Sequence, residues 1–236
     1  MPFPSNGMCF PYRAPIAFHE RTVAPTHLRV ARIKDSLSEL SECQVTALGQ
    51  LLPGLLCGEE SAFQVFWREG HASSRVQMNQ SKALANQIAL EELEHERLLQ
   101  DLRGCCPVPS NLASTLVRTR RFFVRMASRD PALHFAKVAA LDSTVCIILS
   151  TLVKPLSRAT ALIEIFNRIR SDEARHVRFS RRHSYELGAN ASLLANTAVR
   201  IRSELVALLH PLGNSFEALG LDADHLFRRV NMQKES

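Results

Sequence analysis

A chain of 236 residues, 46% hydrophobic and 22% charged, has enough apolar surface for a full core, which excludes a disordered polyelectrolyte. The formal net charge of +6 admits an acidic protein, an anionic surface or nucleic acid as partner and selects none of them. Six cysteines without Cys-x-x-Cys spacing exclude a rubredoxin-type module and read as mostly buried thiols of a cytoplasmic protein.

Residues 1–35 are proline-rich and weakly patterned, and are expected to form an arm beside a single helical domain spanning 36–236. They lack the basic start and apolar run of a secretory signal. Beyond them the helical period dominates and strand signals are nearly absent, so the fold class is all-α. Pro53 is placed to open a helix ending near Gly70, with a separate helix or kinked extension before it from Ser36. A long helix is expected from Ser73 to Arg103, ended by "GCCPVPS". Ser110 is the expected cap of a shorter segment, and Asp130-Pro131 opens a helix to about Val153. That helix contains "FAKVAALDSTVCIILSTLV", which reaches membrane length, but Lys137 and Asp142 favour a buried core helix. Lys154-Pro155 stops it, Ser157 is the expected next cap, and Gly188 ends the following helix. Two more helical segments, at about 191–210 and in "FEALGLDADHLFRRV", complete the chain.

Steps of three and four along these helices give four apolar stripes, each interrupted by an acid. The first is Leu52, Leu55, Glu59, Ala62, Phe66, and the second Leu84, Ile88, Glu92, His95, Leu99, Leu102. The third is Phe135, Val138, Asp142, Val145, Leu149, Leu152, and the fourth Leu162, Phe166, Ile169, Glu173, His176, Ser180. Two of the stripes thus contain Glu-x-x-His. A pattern this short recurs by chance, so its position on a buried face is what gives it weight.

Ionised carboxylates in an apolar core need compensating charge, and two divalent cations would supply it to four acids and two histidines. The i, i+3 spacing lets each glutamate and histidine reach one centre from adjacent turns. Glu60 is the alternative ligand to Glu59, because Leu56, Glu60, Phe63 and Trp67 form a neighbouring stripe. Glu59 and Glu92 are 33 residues apart and Asp142 and Glu173 are 31 apart, so two helical hairpins are expected with a long crossover between them.

These residues resemble the ferritin-like non-haem di-iron carboxylate proteins. "EELEHERL" and "SDEARHVRF" are similar to that family's paired metal-binding motifs, and "GEESAF" to the first-helix motif of its aldehyde-deformylating oxygenases. The resemblance covers about residues 45–187. It implies a ferritin-like four-helix bundle with a long crossover between core helices 2 and 3; the N-terminal arm and the extra C-terminal helices lie outside it. It also implies Glu59, Glu92 and His95 in one half-site and Asp142, Glu173 and His176 in the other, with carboxylates bridging. Glu91 and Asp172 would each hold the distal imidazole nitrogen of the opposite half's histidine. Asp142 departs from the pattern, since most relatives have glutamate there.

The function so implied is an O2-dependent oxidoreductase with two iron ions, or manganese in one or both positions, and an external electron donor. It would hydroxylate, desaturate, cleave or N-oxidise a small organic substrate. The alternatives are a ferroxidase or peroxide scavenger of ferritin or rubrerythrin type, and a metal-free helical interaction protein. Phe66, Trp67, Phe135 and Phe166 could wall a substrate pocket, although aromatic residues at helical spacing are more often ordinary core. The basic residues of "RTRRFFVR" and Arg178, Arg181 and Arg182 suit an acidic electron-transfer or acyl-carrier protein; Arg175, nearer the centre, suits the acids at 91 or 172. A homodimer is compatible with this reading; a membrane or nucleic-acid role is not expected.

Overall fold

The computed structural model describes residues 26–72 and 79–232, and within them every regular element is helical. Helix α1 spans Thr26–Ser38, α2 Glu42–Gly70, α3 Asn79–Gly104, α4 Leu112–Met126 and α5 Pro131–Leu152. Then follow α6 Thr160–Glu186, α7 Ala191–Leu209, a 3-10 turn at His210–Leu212, α8 Gly213–Ala218 and α9 Ala223–Met232. The segment expected as an arm to residue 35 is therefore helical from Thr26; residues 1–25 lie outside the described residues.

Helix boundaries follow local chemistry. Ser41 opens α2 through a capping box: Gln44 N–H donates to Ser41 Oγ at 3.3 Å, and Ser41 N–H donates to Gln44 Oε1 at 3.0 Å. Pro53 therefore lies inside α2 rather than at its start; of the two expectations for the preceding segment, an extension of the same helix is found from Glu42, while Ser36 belongs to α1. Asp130 caps α5, accepting from Ala132 N–H at 2.9 Å, with Pro131 in the first turn. Ser110 and Ser157 are not caps: Asn111 precedes α4 and Ala159 precedes α6. A distant residue serves α6 instead, since Ser36 Oγ on α1 accepts from Ala161 N–H at 2.9 Å in a buried position. Gly188, at φ +103, ends α6, with Gly188 N–H bonded to Tyr185 O and Ala189 N–H to Ser184 O.

Two helical pairs dominate the packing, α2 with α3 and α5 with α6. Helix α1 lies across α3 and α6, while α7 packs on α5 and α8 on α2. The connection from α3 to α4 crosses α2 closely at Gly49, where a Cβ would stand 2.7 Å from Pro107 O. Helix α5 is apolar around its circumference, and three of its hydroxyls are satisfied internally: Thr144, Ser150 and Thr151 donate to the carbonyls four residues earlier. It is the one described helix long and apolar enough to cross a membrane, and two-thirds of its apolar window is buried against the protein.

The buried apolar side chains form two clusters. The larger includes Leu52, Leu56, Leu99, Leu149, Phe166 and Ile169, and the smaller Phe63, Phe66, Ile88, Leu93, Phe135 and Val138. Along α2 and α3 the boundary falls at Glu59 and at Glu92 to His95, and along α5 it falls between Val138 and Ala140, just before Asp142. A polar layer thus interrupts the core at one level.

Candidate metal centre

Every stripe acid is buried: Glu59, Glu92, Asp142 and Glu173 are each at most 5% exposed, and His95 and His176 are fully buried. Leu84 is the exposed exception on the stripes, at 43%, because the core-facing register of α3 runs through its neighbour Ala85, fully buried, to Ile88 and Ala89. One ligand atom each from Glu59, Glu92, His95 and Glu173 falls within 4.8 Å of the others, a group that can hold a metal ion.

The two imidazoles are arranged alike, with ring centroids 6.0 Å apart. Glu92 directs Oε2 toward His95 Nδ1 at 3.7 Å and Oε1 toward His176 Nδ1 at 3.0 Å. Glu173 does the same, with Oε1 3.7 Å from His95 Nδ1 and Oε2 3.6 Å from His176 Nδ1. Each glutamate therefore spans both histidines, the disposition of a carboxylate shared by two centres. Glu59 stands at the His95 end, Oε2 lying 3.2 Å from Nδ1. Asp142 lies within the same electrostatic cluster, where Glu173 and Glu92 act on it, but outside the compact group of four. Glu60 is also buried, but the compact group contains Glu59 and not Glu60.

The distal nitrogens are held by acids on the opposite helix. His95 Nε2 on α3 lies 2.9 Å from Asp172 Oδ2 on α6, and His176 Nε2 on α6 lies 2.9 Å from Glu91 Oε2 on α3. Arg175 Nη2 ties the two acids together, 2.8 Å from Asp172 Oδ1 and 3.1 Å from Glu91 Oε1. Both acids are held below the usual carboxylate range: partial burial opposes this, and the contacts with His95 or His176 and with Arg175 outweigh it. Nδ1 is thereby left as the inward-facing atom of each ring. Lys137 is no partner for Asp142; its ammonium donates to Met126 O at 3.1 Å and Arg125 O at 3.3 Å, across the end of α4.

The electrostatics describe a site under strain from its own charge. Burial, reinforced by neighbouring acids, pushes Glu59, Asp142 and Glu173 upward. Glu92 moves downward because His176 and His95 overcome its burial, and both histidines are raised by the surrounding carboxylates against their own burial. Despite the 3.0 Å separation, Glu92 Oε1 and His176 Nδ1 do not meet in hydrogen-bonding geometry; Glu92 Oε2 and Asp142 Oδ2 are also buried without a hydrogen bond. Buried acceptors without donors on three helices, α3, α5 and α6, beside Glu59 on α2, fit a cation and fit a self-sufficient hydrogen-bond network poorly.

One face of the layer opens onto a cavity of about 700 Å³ that lies between α2 and α5, two helices that scarcely approach each other. Glu59, Glu92, Asp142 and Glu173 all reach it, and the rest of its wall is mostly apolar. Phe135 lines it. Phe66, Trp67 and Phe166 do not: Phe66 and Phe166 are core, and Trp67 stacks on Phe63. The sequence reading missed Gly54, Gly58 and Phe123 as wall residues; Gly54, Gly58 and Ala62 form a four-residue ridge of small side chains that could have indicated them. Cys146, one turn after Asp142 and read from the sequence as one of the thiols, is half-buried, and burial together with Glu173 and Asp142 pushes its thiol up to about 12. Of the cysteines read as thiols, Cys57 is instead disulfide-bonded, while Cys43, Cys105, Cys106 and Cys146 are free.

Comparison with known proteins does not supply a family: no family model, curated protein or solved structure matches the chain.

Proposed function

We propose that this protein is a ferritin-like dinuclear non-haem metalloenzyme, an oxidase or oxygenase that uses O2 to oxidise an organic substrate. The observation carrying the proposal is the apolar cavity whose floor is formed by Glu59, Glu92, Asp142 and Glu173. An iron-storage or peroxide-scavenging centre has no use for an apolar chamber of this size against its carboxylates, whereas a substrate does.

His95 and Glu59 would hold one ion, His176 and Asp142 the other, with Glu92 and Glu173 shared. Two divalent cations balance four carboxylates when both imidazoles are neutral, which removes the charge conflict described above. Iron(II) or manganese(II) suits this mixture of carboxylate and imidazole, and when bound would supply the electrons for O2 chemistry, replenished by an external donor. Asp172 and Glu91 fix the tautomer and orientation of the histidines. Phe123, Phe135, Val138 and Leu141 exclude water from the cavity side of the centre, and the buried layers on either side hold the ligands rigidly. Exposed Arg178 and its neighbours offer a basic surface to an acidic electron-transfer or carrier protein.

Purified protein should bind two metal ions per chain, and anaerobic iron(II) loading followed by O2 should give an optical change. Glu92→Ala and Glu173→Ala should each abolish loading. Wild-type protein free of metal after loading, or full loading of both variants, would overturn the proposal. Mineral accumulation in a closed shell would favour storage instead.

A further inference from the structure

The cavity is elongated and its two ends differ. Its lining follows α2 from Leu51 to Glu69 and α5 from Pro131 to Leu152, each about 30 Å of helix. Glu59 and Asp142 fall near the middle of these runs. One end is closed by buried apolar side chains, Leu51, Leu152 and Phe216. The other carries Arg68, Arg129 and His134. Both arginines are exposed, and among the described residues neither guanidinium has a carboxylate partner. The acid at this rim, Glu69, is engaged by His183 Nε2 at 2.9 Å. A long apolar passage with a cationic mouth matches an amphiphile better than a compact ring, which would fill only part of its length.

From this geometry we infer that the cavity binds a long unbranched aliphatic chain with an anionic head group. The head pairs with Arg68 and Arg129, the tail runs past Glu59 and Asp142, and its end rests among Leu51, Leu152 and Phe216. Arg68 lies nine residues beyond Glu59 on α2, so the carbon beside the carboxylates is about 13 Å from the anchoring residue, in mid-chain. What happens to that carbon rests on the dinuclear reading above; the binding does not.

The test is titration of hexadecanoate, hexadecyl phosphate and hexadecan-1-ol into full-length protein, metal-free and metal-loaded, by calorimetry. Both anions should bind saturably, one per chain, and the alcohol about tenfold more weakly. The preference between carboxylate and phosphate tells a free acid from a phosphate-linked chain. Arg68→Glu combined with Arg129→Glu should bring the anions to the level of the alcohol. A Cβ at Gly54 meets nothing within 4 Å, so Gly54→Leu extends into the cavity; it should weaken hexadecanoate at least tenfold and leave octanoate within about twofold. No saturable binding, equal binding of alcohol and anions, or an unchanged chain-length preference in folded Gly54→Leu would overturn the inference. The surface arginine pair keeps the test decisive if Gly54→Leu does not fold. Chain binding without metal binding would defeat the dinuclear reading alone, and metal binding without chain binding would defeat this inference alone.

Discussion

The imidazole of His95 and the carboxylate of Asp172, 77 residues apart in the chain, lie 2.9 Å from each other across α3 and α6. That contact makes the ring's inward nitrogen available to the centre. Asp172→Asn should therefore weaken metal retention about 10- to 100-fold while the fold persists. Competition titration against a chelator, with circular dichroism as the control, measures it; retention within twofold of wild type would remove the positioning role. Arg175→Gln, one contact further out, should have a smaller effect.

Stability should respond to pH in opposite senses with and without metal. Burial raises Glu59, Asp142 and Glu173 above their ordinary values, and neighbouring carboxylates raise His95 and His176 above 6.5. The folded metal-free protein thus binds more protons than the unfolded chain. Its stability is fullest below those ordinary values and declines as pH rises from about 5 to 8, by about 1.4 kcal/mol per pH unit for each extra proton held. Metal requires deprotonated ligands, so its stabilisation grows over the same range. Thermal melts at pH 5.5, 6.5 and 8 with and without manganese(II) check this; a metal-induced rise in Tm that shrinks with pH would contradict it.

Asp142 is the acid outside the compact ligand group. The ion on the His176 side should be the weaker of the two, and Asp142→Asn should lower metal content from about two per chain to about one. Asp142→Glu, longer by one methylene, should bring the two affinities closer together. Metal analysis after dialysis measures both; simultaneous loss of both ions in Asp142→Asn would show instead that the two positions fill as a unit.

Ser36 supplies the hydroxyl that receives Ala161 N–H at the start of α6. Ser36→Ala leaves that buried donor unmatched and should cost about 1 kcal/mol, lowering Tm by about 2–4 °C in a chain of this size. Calorimetry measures the change. A destabilisation much larger than this would mean that α1 detaches from α6.

Thiol reactivity should be uneven. Cys43 is exposed, whereas burial and its neighbour Cys105 push the Cys106 thiol up to about 12. Iodoacetamide at pH 8 should modify Cys43 first and leave Cys106 largely intact until the protein unfolds. Peptide mapping by mass spectrometry decides the order.

The sequence by itself determined the helices and the buried acids, because a 3.6-residue period shows which side chains share a face and an acid on an apolar face stands out. Glu59, Glu92, Asp142, Glu173 and both Glu-x-x-His pairs were legible in this way. Exact helix starts were less so: Ser36 caps a helix 125 residues away, a pairing that no local pattern contains. Only tertiary structure decided that Glu92 and Glu173 each span both imidazoles, that Glu59 rather than Glu60 faces them, and that Arg175 joins Glu91 to Asp172. It also decided the cavity, since a void arises from how far α2 and α5 are held apart. Periodicity fixes the face that a residue occupies; the distance to the opposite face is set by the helices between.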